Sequence, residues 1–213
     1  KALMRDAGLD TPDAFALPHS VFRELGAPVV LDAVASSIGL PLVVKPTKGG
    51  SALGATVVRD ADALPGAMVA CFAYGDTALL ERHVSGVEVA VSVVDTGEGP
   101  VALPVAEIVA PQGFYDYAAR YTAGATEFFV PARLSDEHTE AAVKAALRAH
   151  EAFGLRDVSR SDLVVGDDGT VWFLEVNVAP GMTETSLLPL SADAAGLDLG
   201  ELCLALVRTA LDR

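Results

Sequence analysis

The sequence predicts an α+β fold with antiparallel sheets and helices set in separate blocks. Three observations predict it. Apolar, β-branched runs follow one another through short turns, as in the stretch 77–110 and again in "RSDLVVGD" and "TVWFLEVNV". The helical patterns stand apart from these runs instead of alternating with each of them. The composition, 51 % hydrophobic and 21 % charged, is that of a core-forming chain, and 213 residues suffice for one large domain or two small ones sharing an interface.

The elements follow in order. "KALMRDAGLDTP" reads as a helix ending at Gly8, with Pro12 beyond it. "PLVVKPTKGGSALGATVV" (41–58) reads as strand, glycine-rich loop, strand. "ADALPGAMVACFAYG" is helical, with Pro65 marking its start. Residues 77–110 are successive strands turning at Ser85-Gly86 and at Gly97-Glu98-Gly99-Pro100, and their partial alternation predicts a well-covered sheet. Residues 112–134, rich in aromatics and glycine, read as a surface loop. Residues 135–155 give the clearest helix, with Ser135 as N-cap, acids in the first turn and Gly154 at its end. Two strands joined by the Asp167-Asp168-Gly169 turn follow, and an amphipathic helix closes the chain from about Leu199.

Charge and cysteine content exclude several function classes. The net charge of −14 argues against a nucleic-acid or anionic-membrane surface, since both require basic patches. No stretch is long and apolar enough for a transmembrane span, and the start is not a signal peptide. Cys71 and Cys203 lie far apart in apolar surroundings, which predicts core thiols in a reducing compartment. The histidines at 19, 83, 138 and 150 show no metal-ligand spacing.

Chemistry is concentrated in a few places. Lys45 ends an apolar strand before the loop Lys48-Gly49-Gly50-Ser51-Ala52-Leu53-Gly54. Glycines let backbone N–H groups approach a phosphate, and a lysine at the strand end adds charge, yet no Lys-Ser/Thr follows as in a Walker loop. On residues alone, a phosphate cradle and a solvated hairpin are both open. Asp162 and Glu175 lie on adjacent predicted strands, near each other when counted outward from the turn, and Asn177 shares the face of Glu175. Two carboxylates and an amide oxygen suit Mg²⁺, which fills its shell from phosphates and water. Arg160 shares the face of Asp162, so a structural ion-pair cluster is the competing reading. Glu81, Arg82, His83, Val84 and Glu88 read in isolation as ordinary edge residues. Tyr115, Tyr117, Arg120 and Tyr121 belong by composition to a packed lid or a binding loop.

In their order along the chain, these motifs resemble the ATP-grasp superfamily and, within it, the D-alanine–D-alanine ligases. "VVKPTKGGSALG", "LLERHVSGVEVAV", "YDYAARYTAG…FFVPARL" and "RSDLVV…GTVWFLEVNVAPGMTETSLLP" look like that family's phosphate loop, adenine and ribose segment, mobile loop, and magnesium and acceptor segment. The resemblance implies an ATP-grasp fold of two α+β subdomains, with ATP held between antiparallel sheets. Residues 1–16 would be a lead-in, 17–84 the small subdomain and 85–213 the large one.

It also implies roles. Lys45 and Arg120 contact ATP phosphates, Arg120 standing where the family usually has lysine. Glu81 and the backbone of Arg82, His83 and Val84 hold the adenine, and Glu88 the ribose. Asp162, Glu175 and Asn177 bind two Mg²⁺ or Mn²⁺ ions. Arg160 and the Gly181 N–H face the oxyanion. Ser186 and the Leu187 N–H receive the second substrate's carboxylate, and Ser51 and Tyr121 link the two loops near the first substrate. Gly49, Ala52 and Val178 depart from the family's usual acid, serine and threonine. The N-terminal domain that grips the first D-alanine, and a nucleotide-binding lysine, lie outside this sequence.

The implied activity is ATP-dependent joining of two D-alanines through an acyl phosphate, for peptidoglycan precursors. Two alternatives stay open: another amino-acid or dipeptide ligase of the superfamily, and an ATP-binding fragment without turnover. The implied setting is cytoplasmic, with ATP and D-alanine as partners and a homodimer at full length.

Overall fold

The computed structural model describes every residue except 111–114, 116–121 and 123. The chain divides into two units, one of residues 1–11, 85–109 and 127–213, the other of residues 12–84 and 110–126.

The first helix, α1 (Ala2–Asp6), belongs to the larger unit. The smaller unit holds β1 (Ala14–Pro18), α2 (His19–Leu25), α3 (Ala27–Ile38), β2 (Leu42–Pro46), β3 (Thr56–Val58), α4 (Leu64–Phe72) and β4 (Thr77–Arg82). Its four strands are antiparallel in the order β1-β4-β2-β3. Alternation along the strands sends Leu42, Val44, Val58, Ala78 and Leu80 to one face, where they pack on Leu31 and Val34 of α3 and on Leu64, Ala67, Met68 and Cys71 of α4. Lys45 and Glu81 therefore point to the opposite face. The helices α2 and α3 carry no clear signal in the sequence reading. Gly26 (φ +83°) separates them, Pro28 sits in the first turn of α3, and Gly39 (φ +75°) ends it.

The larger unit holds β5 (Val87–Val94), β6 (Val101–Ala102), β7 (Ala106–Val109), β8 (Glu127–Phe129), α5 (Asp136–Ala152), β9 (Val158–Val165), β10 (Val171–Asn177), α6 (Leu187–Ala194) and α7 (Leu199–Leu211). The sheet is antiparallel in the order β10-β9-β5-β7-β8, with β6 paired to β5. One face buries Val89, Val91, Val93, Leu163, Val165 and Phe173 against Ala142, Ala145, Ala146 and Ala149 of α5 and Met4 of α1. Alanines at helical spacing let α5 lie close on the sheet. The Ser135 hydroxyl accepts from the His138 N–H at 3.2 Å and caps α5 as the sequence predicts. At one end of the opposite face, Val94 and Val158 pack under Leu188 and Ala192 of α6 and Leu202 of α7.

Two expectations need correction. The stretch read as a surface loop over 112–134 ends in built structure. Residues 127–129 pair with β7, and the Arg133 guanidinium grips Glu107 at 2.6 and 3.0 Å while lying 3.6 Å above the Phe129 ring. A three-residue strand is too short to show a period. Both cysteines are free, but only Cys71 is buried; Cys203 is half-buried on α7.

Gly86 fixes the entry to β5. It has φ +152°, and a Cβ there would lie 2.2 Å from the Val165 carbonyl oxygen. That oxygen is backbone in the sheet and cannot step aside. Gly86→Ala is expected to destabilise the protein by about 3 kcal/mol or more, read from the shift of the urea midpoint.

His150 of α5 is buried, with Nδ1 2.8 Å from the Ser159 hydroxyl. Burial holds its imidazole below the ordinary histidine value, against the opposing pull of Asp95 and Asp157. The unfolded chain therefore takes up a proton that the folded chain resists. Stability from this group is complete above about pH 6.5 and falls as pH drops through that value. His83, depressed by burial and by Arg59, acts with the same sign. His150→Gln is expected to flatten the fall in urea midpoint between about pH 7.5 and pH 5.5.

Candidate active site

The face of the large sheet turned away from α5 is polar over most of its length. Register pairs Asp162 with Ala90 on one side and Glu175 on the other, and Arg160 with Ser92 and Asn177. Residues directly opposite share a face. Glu88, Ser92, Arg160, Asp162, Glu175 and Asn177 thus project together, three acids and one cation in a strongly acidic chain.

A β-bulge makes this arrangement possible. Val171 pairs with Val165 and Phe173 with Leu163; the register then shifts, and Glu175 pairs with Asp162. An unbroken ladder would place Leu174 opposite Asp162 and would aim Glu175 and Asn177 into the core with Phe173. The extra residue turns them to the polar face. The Lys1 ammonium lies 3.5 Å from the Leu174 carbonyl at this bulge.

Arg160 and Asp162 form a fork. Arg160 Nε donates to Asp162 Oδ1 at 2.7 Å and Nη2 donates to Oδ2 at 2.9 Å. Both side chains are 8 % exposed, so this is a buried, bidentate pair with a fixed guanidinium plane. Glu175 is exposed, and Asn177 Oδ1 accepts from the Ala179 N–H at 2.9 Å. Among the described residues, no three His, Cys, Asp or Glu side chains form a ready metal cage. Two carboxylates and an amide on one face suit a hard cation that draws the rest of its shell from phosphate and water.

Past the buried Pro180, the turn at Gly181 meets the start of α6. A Cβ on Gly181 would lie 2.7 Å from Ser186 Oγ and 3.3 Å from Ser186 Cβ. Only glycine lets the two come this close. Ser186 stands at the N-cap of α6, but its hydroxyl lies 2.8 Å from Thr183 Oγ1 and does not cap the helix. The first N–H groups of α6 keep their affinity for an anion.

In the smaller unit, Lys45 Nζ lies 3.4 Å from Glu81 Oε1, and Glu81 is buried. The Arg82 N–H donates to the Asp13 carbonyl and the His83 N–H to the Pro41 carbonyl, at 2.8 and 3.1 Å. Those two donors are spent within the unit. In the glycine-rich loop, Ser51 and Ala52 both have left-handed backbone, φ +57° and +54°. Tyr115 is buried; Arg120 and Tyr121, with Tyr117, lie outside the described residues.

The antiparallel sheets, their helices and the acidic sheet face define an ATP-grasp fold. The chain belongs to the family described as D-ala D-ala ligase C-terminus, whose model matches residues 3–208. It is 41 % identical over 203 residues to a D-alanine–D-alanine ligase of Anaeromyxobacter sp. (strain K), covering 95 % of this chain and 63 % of that protein. The D-Ala:D-Ser ligase VanG of Enterococcus faecalis superposes with a TM-score of 0.84 at 27 % identity, over 98 % of this chain and 59 % of that one. The D-alanine–D-alanine ligase of Bacillus anthracis complexed with ATP gives 0.73 at 31 % identity, over 99 % and 62 %. The chain thus spans somewhat under two thirds of the relatives it matches.

Proposed function

We propose that the whole protein is an ATP-dependent ligase that joins two D-alanines for peptidoglycan precursor synthesis. The observation that carries this reading is the polar sheet face, where the bulge at Leu174 turns Glu175 and Asn177 beside the Arg160–Asp162 fork. The family membership supports it, as does the ATP complex of a relative.

By the family resemblance, Lys45 and Arg120 would contact the phosphates, which the glycine-rich loop would cover. Glu81 and the Arg82–Val84 backbone take the adenine, and Glu88 the ribose. Since the Arg82 and His83 N–H groups are spent, the Val84 N–H is the backbone donor this segment offers a base. Asp162, Glu175 and Asn177 would hold two Mg²⁺ ions, or Mn²⁺. When bound, these ions neutralise charge on the transferring phosphoryl group.

The chain's own residues position and stabilise. A carboxylate oxygen of the first D-alanine attacks the γ-phosphorus, releasing ADP and forming an acyl phosphate. The second D-alanine, held through its carboxylate by Ser186 and the Leu187 N–H, attacks the acyl carbon with its neutral amine. Arg160 and the Gly181 N–H stabilise the oxyanion before phosphate leaves and the nitrogen loses its proton. By the family resemblance, Ser51 and Tyr121 would link the glycine-rich loop to the mobile loop near the first substrate. The reaction draws on cytoplasmic ATP, and the full-length protein works as a homodimer.

A second reading is another amino acid as acceptor. The D-Ala:D-Ser likeness favours it, as do the departures at Gly49, Ala52 and Arg120. Product analysis of the full-length polypeptide with D-alanine, D-serine and D-lactate in competition separates the readings. D-Ala-D-Ala is expected to dominate; a dominant D-Ala-D-Ser or ester product near neutral pH would overturn the assignment.

A further inference from the structure

The glycine-rich loop is bracketed at both ends by one short segment, residues 74–77. At its start, Thr47 donates to the Thr77 carbonyl twice, from its N–H at 3.1 Å and from its hydroxyl at 3.2 Å. At its end, Gly54 (φ +75°) lies against the Tyr74 ring. A Cβ there would sit 2.6 Å from Tyr74 Cδ2, 3.3 Å from Cε2 and 3.2 Å from Pro46 Cγ. Tyr74 is itself tied down where α4 ends, its N–H donating to the Cys71 carbonyl at 3.0 Å.

Between the brackets the loop makes two successive tight turns. The Leu53 N–H donates to the Gly50 carbonyl at 3.2 Å, and the Ala55 N–H to the Ala52 carbonyl at 3.1 Å. Ser51 and Ala52, at the centre of the first turn, both adopt positive φ without being glycine. Non-glycine residues keep such backbone only where the surroundings impose it. Tyr74 is 52 % exposed, so core packing does not account for its place against Gly54.

We propose that Tyr74 is a positioning residue for the glycine-rich loop. Its ring edge closes on Gly54 and fixes the second turn, which in turn holds Ser51 and Ala52 in their left-handed conformation. The consequence for nucleotide affinity rests on the phosphate-covering reading given above; the conformational claim does not.

Trypsin cleavage after Lys48 reads the loop without nucleotide. Under native conditions, Tyr74→Ala is expected to raise that cleavage about tenfold relative to cleavage after Arg208, with an unchanged unfolding midpoint. Tyr74→Phe keeps the ring and is expected to cut at the wild-type rate. Gly54→Ala drives a Cβ into the ring and is expected to cut faster, and Tyr74→Ala in that background should add less than it does alone. Should Tyr74→Ala fail to fold, Tyr74→Leu and Gly54→Ala carry the same test. In parallel, the Mg-ATP dissociation constant is expected to rise for Tyr74→Ala and not for Tyr74→Phe. Wild-type cleavage at Lys48 in folded Tyr74→Ala or Tyr74→Leu would overturn the proposal. Faster cleavage with unchanged Mg-ATP affinity would uphold the positioning of the loop and contradict its phosphate role.

Discussion

Glu175→Gln is expected to weaken Mg²⁺-dependent ATP binding by at least about 100-fold, since loss of an outer-shell partner alone costs about 10–100-fold. The substitution removes one negative charge and keeps the shape. Glu175 is exposed, on a face whose register places it opposite Asp162, so the fold does not depend on it. Its unfolding free energy should change by no more than about 0.5 kcal/mol. Calorimetric titration with Mg-ATP checks the first half, and urea unfolding the second. Unchanged affinity in a folded variant would remove Glu175 from the proposed metal set.

Asp162→Ala is expected to act in the opposite proportion, on stability as well as on binding. The Arg160–Asp162 pair is buried and bidentate, at 2.7 and 2.9 Å. Removing the carboxylate takes the bidentate partner from a buried guanidinium, at a cost of about 3–5 kcal/mol. The companion variant Arg160→Met strands the carboxylate and should cost a similar amount. The double variant should lose less than the sum, because each single variant already removes the same bidentate contact. Urea unfolding of the four proteins gives the coupling. Near-additive losses would show that the fork contributes little to the fold and that Arg160 is held by other contacts.

Much of the fold is legible where chain chemistry is local. The Ser135 hydroxyl marks the start of α5, and Asp167-Asp168-Gly169 marks the hairpin between β9 and β10. The site is less legible, because it depends on the bulge. Counting from the hairpin turn on a regular ladder pairs Asp162 with Leu174 and puts Val171, Phe173, Glu175 and Asn177 on one face. That pattern sets two core residues and two polar ones on the same side, and the conflict itself signals an inserted residue. The contact of Tyr74 with Gly54 has no such signal, since it joins residues twenty apart through the end of α4. The three-residue β8 is hidden for another reason, its phenylalanines reading as part of an aromatic-rich loop.

The central claim, that a carboxylate is activated as an acyl phosphate at the expense of ATP, is tested most directly by oxygen transfer. The full-length polypeptide would be incubated with Mg-ATP and D-alanine carrying ¹⁸O in its carboxylate, and the released phosphate examined by mass spectrometry. The carboxylate oxygen that attacks the γ-phosphorus leaves with the phosphate when the tetrahedral intermediate collapses. The account predicts one ¹⁸O in the inorganic phosphate for each dipeptide formed, with ADP as the nucleotide product. Unlabelled phosphate, or release of AMP and pyrophosphate, would contradict it.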